Sequence, residues 1–191
     1  MLVTGIKSMP HYQPLQLDTG GTHHLVVCQG VGAEAGRRLI AAAAQAGLGD
    51  ACQVLYVPAG GDNRFATLAQ ACRSAQCCAD AGHLLGVLET ALAALPMGLR
   101  VYAAGSEELL ARVVRVAESH GLDPAEIQCE QAGPALRRVY CIHCRAFSEG
   151  VNTAQVTCCG CGRDLLVRDH YSRRHAAFMG VMADAETQVA A

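Results

Sequence analysis

Two short segments, Cys141-Ile142-His143-Cys144 and Cys158-Cys159-Gly160-Cys161-Gly162, decide the fold of the last part of the chain. Each contains a Cys-x-x-Cys spacing, and the thirteen residues 145–157 separate them. Four thiolates at this spacing can surround one tetrahedral ion, because each segment makes a tight turn that presents two sulfurs. We call the two segments the knuckles and predict a metal site with the ligands Cys141, Cys144, Cys158 and Cys161.

Two residues within the knuckles compete with this ligand set. Cys159 is a possible ligand, but the x-x spacing favours Cys158, and we expect His143 to face solvent. The sequence does not decide between zinc and iron, since both ions accept four thiolate ligands. We expect zinc, because structural ribbons commonly hold it, and iron is the alternative that would carry one electron. A closed shell of four sulfurs leaves no position for water, which argues against hydrolytic chemistry.

The residues around the knuckles predict a small β module. Strands are expected over 137–140 and 165–168, with a hairpin arm and its turn between 146 and 156, so that each knuckle is a turn between strands. We assign 135–168 to this zinc-ribbon-like or rubredoxin-like module. We assign 169–191 to a charged tail that docks on a partner, and the tail contains the cluster His170, Tyr171, Arg173, Arg174 and His175.

Apolar runs alternate with helical patterns between residues 24 and 134. The pattern predicts strands at 24–28, 52–57, 99–104 and 126–130 and helices at 33–46, 65–77, 83–95 and 107–120, the last capped by Ser106. This order predicts an α/β domain with a Rossmann-like, mainly parallel sheet. Residues 1–23 contain scattered Pro and Gly without a period, and we interpret them as an irregular strap over the domain or a partner.

Glycines after the first and third of these strands are candidate nucleotide-binding positions. Gly30 and Gly32 could admit a pyrophosphate at a helix N-terminus, and Gly105 follows a later strand. The spacing matches a dinucleotide fingerprint loosely, however, and Glu34 would place a negative charge beside any phosphate. We therefore favour a tight turn without a ligand.

Composition excludes several functional classes. The formal net charge of −2 gives no field that favours nucleic acid or an anionic membrane, and the longest apolar run, 39–47, is too short to span a bilayer. Eleven cysteines, an odd number, and an opening without a signal pattern predict a cytoplasmic protein with reduced thiols. The sequence contains no recognisable catalytic signature, so we assign no catalytic residue.

Two resemblances extend this interpretation, and the first covers residues 24–131. Leu25-Val-Val-Cys-Gln-Gly-Val-Gly32, Val101-Tyr-Ala-Ala-Gly-Ser106 and Ile127-Gln-Cys-Glu130 resemble the nicotinamide-binding half of ferredoxin reductase-type flavoproteins. Ala104 and Ser106 replace the Cys and Pro of that family's late motif, and no aromatic residue follows Glu130. The resemblance therefore implies an inherited fold whose cofactor site has been lost.

The second resemblance covers the whole chain. The run Val139-Tyr-Cys-x-x-Cys144 and the endings Leu166-Val-Arg-Asp-His-Tyr-Ser-Arg-Arg174 and Phe178-Met-Gly-Val-Met-Ala-Asp-Ala-Glu186 are similar to the small subunit of haem-dependent dimethylamine monooxygenases. It implies a multi-subunit enzyme of methylated amine degradation that uses NADPH and O2 to convert dimethylamine to methylamine and formaldehyde. Haem, FMN and an iron–sulfur cluster are then expected on the partner haem and reductase subunits.

Together these features suggest an auxiliary subunit of a hetero-oligomeric oxidoreductase, without an active site of its own. One alternative is a rubredoxin-like electron-transfer module with iron at the four cysteines. Another is a free-standing reductase component that binds NADPH.

Overall fold

The computed structural model describes residues 12–61, 63–94 and 97–184. The chain divides between Pro134 and Ala135 into two compact units. We call residues 12–134 the N-terminal domain and residues 135–184 the C-terminal module, and we describe each by itself.

The N-terminal domain is built on a five-stranded parallel sheet with the order β3-β2-β1-β4-β5. Strands β2 and β3 are added on one side of β1, and β4 and β5 on the other, as in doubly wound nucleotide-binding folds. The strand order confirms the predicted Rossmann-like class. Its strands are β1 (His23–Gln29), β2 (Cys52–Val57), β3 (Ser74–Cys77), β4 (Leu99–Gly105) and β5 (Ile127–Gln131). Its helices are α1 (Ala33–Gln45), α2 (Phe65–Ala71), α3 (Ala81–Ala94) and α4 (Glu107–Ser119).

Both faces of this sheet are covered by helices, which explains why the central strand β1 contains the unbroken apolar run 25–28. Leu25 and Val27 of β1 face one core with α3 and α4, whereas Val26 and Cys28 face a second core with α1 and α2. All four side chains are fully buried. A strand buried on both faces has no polar side, so it reads as a continuous apolar run.

Strand β3 corrects the prediction of a helix over 65–77. Helix α2 ends at Ala71, and Ser74–Cys77 pairs in parallel with β2 as the edge of the sheet. Three of the four β3 residues are exposed, so the strand shows neither an apolar run nor an alternating pattern. Leu68, Cys72 and Ala75 pack into the same core at positions i, i+4 and i+7, which gives the segment an apparent helical period.

Residues 12–22 form no helix or strand and lie against β4 and β5. The amide of Leu15 donates to Glu130 Oε2 at 2.8 Å, that of Gln16 to Gln128 Oε1 at 3.0 Å and that of Asp18 to the hydroxyl of Tyr102 at 3.1 Å. Because residues 12–22 form no helix or strand, their backbone N–H groups donate instead to side chains of the sheet. The rest of the predicted strap, residues 1–11, lies outside the described residues.

The C-terminal module is a second five-stranded sheet with the order β7-β6-β10-β9-β8. Strand β10 pairs with β6 in parallel, and the other three pairings are antiparallel. The strands are β6 (Arg137–Cys141), β7 (Phe147–Val151), β8 (Gln155–Thr157), β9 (Asp164–Ser172) and β10 (Ala177–Met182). The first knuckle joins β6 to β7 and the second joins β8 to β9, so each knuckle is a turn between strands, as predicted.

The expected boundary at 168 is wrong, because residues 169–182 belong to the sheet and not to a tail. Tyr171 and Phe178 are buried and pack edge to face with ring centroids 5.1 Å apart. Residues 168–170 are all exposed where β9 and β10 shift register, and this irregularity hides the alternating pattern of β9. Residues 185–191 of the predicted tail lie outside the described residues.

Candidate metal centre

The two knuckles have the same backbone hydrogen bonds. In the first, the amide of Cys141 donates to Ala146 O at 2.9 Å and the amide of Arg145 to Cys141 O at 2.9 Å. In the second, the amide of Cys158 donates to Arg163 O at 2.8 Å and the amide of Gly162 to Cys158 O at 3.0 Å. Equal spacing in sequence therefore produces equal turns, which present their cysteine pairs in the same way.

Each turn ends on a residue with left-handed backbone. Gly162 has φ 70°, as the glycine after Cys161 predicts, and Arg145 occupies the equivalent position with φ 65°. A non-glycine residue in this region costs about 1–2 kcal/mol. The first knuckle adopts the turn in spite of that cost, which indicates that its surroundings hold it there.

The four predicted ligands form one cluster. The Sγ atoms of Cys141 and Cys161 lie 3.8 Å apart, those of Cys144 and Cys158 lie 3.5 Å apart, and all four lie within 4.8 Å of one another. Metal–sulfur bonds of about 2.3 Å place the sulfurs of a regular tetrahedron about 3.8 Å apart. The donor set and its dimensions thus fit a single zinc or iron ion with four thiolate ligands.

Backbone amides favour the thiolate form at the second knuckle. The amide of Cys161, together with that of Gly160, lowers the pKa of Cys158, and the amide of Arg163 lowers the pKa of Cys161 to about 6. At Cys144 the amide of Ala146 also lowers the pKa, but desolvation and the three neighbouring cysteines together raise it. A bound cation would relieve this mutual repulsion, because metal ligation requires all four sulfurs to be deprotonated.

The structure separates the two competing residues from the cluster. The thiol of Cys159 donates to the carbonyl of Phe147 at 3.2 Å, and its amide donates to Ser148 Oγ at 3.4 Å. Cys159 and His143 are both exposed. Cys158 rather than Cys159 is therefore the member of the four-cysteine cluster.

Gly160 is a site residue that the cysteine spacing did not reveal. A Cβ atom at this position would lie 2.6 Å from Cβ of Ala146 and 3.0 Å from Sγ of Cys144. The tip of the second knuckle thus contacts the first knuckle without room for a side chain. The Gly between Cys159 and Cys161 was the available signal, because glycine allows close approach between two backbones.

The candidate nucleotide positions come together at the carboxyl ends of β1 and β4. A Cβ atom at Gly32 would lie 2.3 Å from Ala104 O and 3.1 Å from Gly105 N, and one at Gly105 would lie 2.9 Å from Cβ of Gln29. Gly30 turns the chain with φ 49°. Close contacts within the protein therefore account for these glycines.

The start of α4, the helix that follows Gly105, carries protein groups. The amide of Ser106 donates to the Gln29 side chain at 3.0 Å, and the hydroxyl of Tyr12 donates to the carboxylate of Glu107. Glu107 is only 6% exposed, so its carboxyl group is buried at the end of the helix that attracts anions. These residues do not fit a dinucleotide pyrophosphate.

Fold and site together define a class: a Rossmann-like α/β domain followed by a ribbon whose four-cysteine cluster is compatible with a metal ion. The chain belongs to the DmmA-like family of dimethylamine monooxygenase subunits, since the family's N-terminal domain matches residues 4–127 and its C-terminal domain matches residues 138–181. The resemblance to these subunits that the knuckles and the ending indicated is thereby confirmed.

A curated relative is the heme-dependent oxidative N-demethylase delta subunit of Ectopseudomonas mendocina (strain ymp). It is 35% identical over 100 residues, which cover 52% of this chain and 57% of the relative. The match thus spans little more than half of the relative's length.

Solved structures of reductase type are similar to 63–65% of the chain. The ferredoxin reductase in carbazole 1,9a-dioxygenase, in its FAD apo form, has a TM-score of 0.46 and 17% identity over 34% of its length. The flavohem-like FAD/NAD binding domain of nitric oxide dioxygenase from Vibrio cholerae O1 biovar El Tor has a TM-score of 0.49 and 18% identity over 56% of its length. Among the described residues, none of the helices has the length and apolar character that crossing a membrane requires.

Proposed function

We propose that this chain is an auxiliary, metal-binding subunit of a cytoplasmic, multi-subunit dimethylamine monooxygenase. The enzyme would convert dimethylamine, O2, NADPH and a proton to methylamine, formaldehyde, water and NADP+. Haem, FMN and the iron–sulfur cluster would belong to the partner subunits. The observation that carries the proposal is the cluster of four cysteine sulfurs within 4.8 Å of one another, in a chain of this family.

The ion held by this cluster would be structural zinc. Four thiolates complete a tetrahedral shell, so neither water nor substrate has a position on the metal. The module that contains the site has 50 described residues, 135–184, and a domain of that size buries too little apolar surface for high stability. Metal binding would supply the missing free energy, because a site that forms only in the folded state stabilises that state.

The N-terminal domain would serve as a scaffold and not as a nucleotide-binding domain. Gly32 and Gly105 lie in tight contacts with Ala104 and Gln29, and Glu107 places a buried carboxyl group at the start of α4. These contacts weaken the third hypothesis, a free-standing NADPH-binding reductase. We infer that hydride transfer belongs to another subunit.

Two observations favour an electron-transfer role as the second candidate. Cys144 is exposed, and the amide of Gly160 donates to Sγ of Cys158 at 3.4 Å. A ligand at the surface would bring an iron ion close to a redox partner, and N–H···S hydrogen bonds tune the potential of iron–thiolate sites. Metal identity separates the two candidates.

Purification of the chain alone and with its partner subunits tests the proposal. We expect one zinc ion per chain by elemental analysis, no visible absorption, and a stable assembly with demethylase activity that requires all subunits. Stoichiometric iron with the colour of a ferric tetrathiolate would support the electron-transfer role instead. A monodisperse monomer that demethylates dimethylamine by itself would refute the proposal.

A further inference from the structure

Ion pairing differs between the N-terminal domain and the C-terminal module. Residues 12–134 contain seven Arg against twelve Asp and Glu, whereas residues 135–184 contain seven Arg against four Asp and Glu. Five of the seven arginines in the N-terminal domain pair with carboxylates, namely Arg37, Arg38, Arg73, Arg100 and Arg112. By contrast, three exposed arginines of the module make no ion pair with any residue that the structure describes: Arg145, Arg168 and Arg173.

One of these arginines, Arg145, follows an exposed apolar residue of the first knuckle, Ile142, by three positions in the chain. Ile142 is 45% exposed, and its amide donates to Gly180 O at 3.2 Å, which ties the knuckle to β10. His143 and Arg145 are exposed on the same turn. We call Ile142, His143 and Arg145 the knuckle surface.

Two features make the knuckle surface suitable for binding. Its residues flank Cys141 and Cys144, so a bound ion would fix their backbone before a partner arrives, and a preorganised surface loses less entropy on association. An exposed apolar residue and an exposed arginine on one turn also have the composition that protein interfaces favour. A dication with four thiolates contributes two negative charges, which leaves the module with an excess of about one positive charge.

We propose that the knuckle surface docks onto an acidic patch with an apolar socket on another subunit of the complex. The proposal rests on the proposed function, since it assumes that partner subunits exist. Charge complementarity selects the partner, because the unpaired Arg145 gains a carboxylate only from outside the described chain. The apolar centre favours a protein surface over nucleic acid, whose backbone offers phosphates without a socket for Ile142.

Binding of the full chain to the purified partner subunits, measured by biolayer interferometry, tests the proposal. Ile142→Asp removes the apolar contact, and Arg145→Asn removes the charge with a residue that tolerates left-handed backbone. Each change is expected to weaken binding about tenfold or more while the chain keeps its metal. Salt should weaken binding of the wild type more than binding of Arg145→Asn.

Matched controls lie in the N-terminal domain. Met97→Asp changes a side chain that is 96% exposed, and Arg73→Asn changes one that is 93% exposed, and both are expected to bind within about twofold of the wild type. Equal binding of the knuckle variants and the wild type would overturn the inference, as would an equal loss in the controls. If Ile142→Asp releases the metal, the binding of Arg145→Asn to the partner subunits becomes the test of the docking surface.

Two further results separate this inference from the proposed function. A wild-type chain that does not bind the partner subunits would refute the proposed function itself. A wild-type chain that binds them while both knuckle variants bind equally well would refute only the docking surface. Tighter binding of the wild type to a fluorescent DNA duplex than to the subunits would overturn the assignment to a protein partner.

Discussion

A Cβ atom on Gly32 would lie 2.3 Å from the carbonyl oxygen of Ala104, so the turn after β1 touches the end of β4 backbone to backbone. No side chain larger than hydrogen fits without displacing one of the two segments. We expect Gly32→Ala to lower the free energy of unfolding by about 1–3 kcal/mol, measured by urea denaturation.

Gly86→Ala is the matched control for this change. Gly86 lies inside α3, and a Cβ atom there would meet nothing within 4 Å. Alanine lowers the entropy of the unfolded chain and favours helix, so this variant should gain about 0.5–1 kcal/mol. Equal effects of the two substitutions would show that the contact with Ala104 has no energetic role.

Loss of one cysteine of the cluster should release the metal. We expect Cys144→Ala to reduce the ion content from about one per chain to near zero and to unfold the C-terminal module locally, because three thiolates bind a structural ion far more weakly than four. Elemental analysis and hydrogen exchange of residues 135–184 measure these effects. Cys159→Ala, which removes an exposed thiol outside the cluster, should keep the ion. Retained stoichiometry in Cys144→Ala would contradict the ligand set.

Stability should fall as the pH drops below the ordinary pKa of histidine, in part because of His24. Its side chain is 1% exposed, and burial lowers its pKa from the usual 6.5. Below pH 6.5 the unfolded chain binds a proton that the folded chain does not, so this contribution is lost as the pH falls toward the lowered pKa. Thermal melts of the wild type and His24→Gln between pH 7.5 and about pH 5 should show a shallower slope in the variant. Parallel slopes would exclude His24 as a source of the pH dependence.

The cap of α4 should contribute to stability. Ser106 Oγ accepts a hydrogen bond from the amide of Leu109 at 3.4 Å, as the sequence predicted. Ser106→Ala should cost about 1 kcal/mol in urea denaturation. Ser119→Ala, at the exposed last residue of the same helix, should cost no more than about 0.5 kcal/mol. A larger loss at Ser119 would mean that the cap is not the source of the effect.

The isolated chain should not bind NADPH. Close contacts fill the turns at Gly32 and Gly105, Glu34 lies in the first turn of α1, and Glu107 lies in the first turn of α4. A carboxylate at a helix start disfavours a phosphate there. An isothermal titration is therefore expected to give no saturable heat at concentrations up to about 1 mM, which corresponds to a binding free energy weaker than about −4 kcal/mol. A micromolar dissociation constant for NADPH would contradict this prediction and support the hypothesis of a reductase component.

Most of the N-terminal domain followed from sequence, because Gly, Pro and Ser mark the ends of strongly apolar or strongly periodic segments. Strands β1, β2, β4 and β5 lie within a residue of their predicted bounds. Strand β3 was not predicted, because it lies at the edge of the sheet with most of its residues exposed. Its sequence therefore has no periodic pattern of apolar residues. Its identity depends on pairing with β2, which is a tertiary interaction.

The cysteine cluster was predictable for a similar local reason, since ligand spacing within each knuckle fixes the turn. What spacing does not encode is contact between the two turns. The close approach of Gly160 to Ala146 depends on both knuckles being in place. Strand β10 likewise depends on two distant partners, β6 and β9, and the shift in its register conceals the alternation that would have identified it.

Strand β10 links the two halves of the C-terminal module. Strands β6 and β7 form one hairpin with the first knuckle as its turn, and β8 and β9 form another with the second knuckle. Within the described sheet, β10 pairs with one strand of each hairpin, and the hydrogen bonds of Cys159 to Phe147 and Ser148 also join them. An ion on the four sulfurs would bridge the hairpins at their tips. During synthesis all four cysteines leave the ribosome before β10 does. A nascent chain that bound an ion at these cysteines would thus hold its two hairpins side by side before β10 becomes available to pair with both.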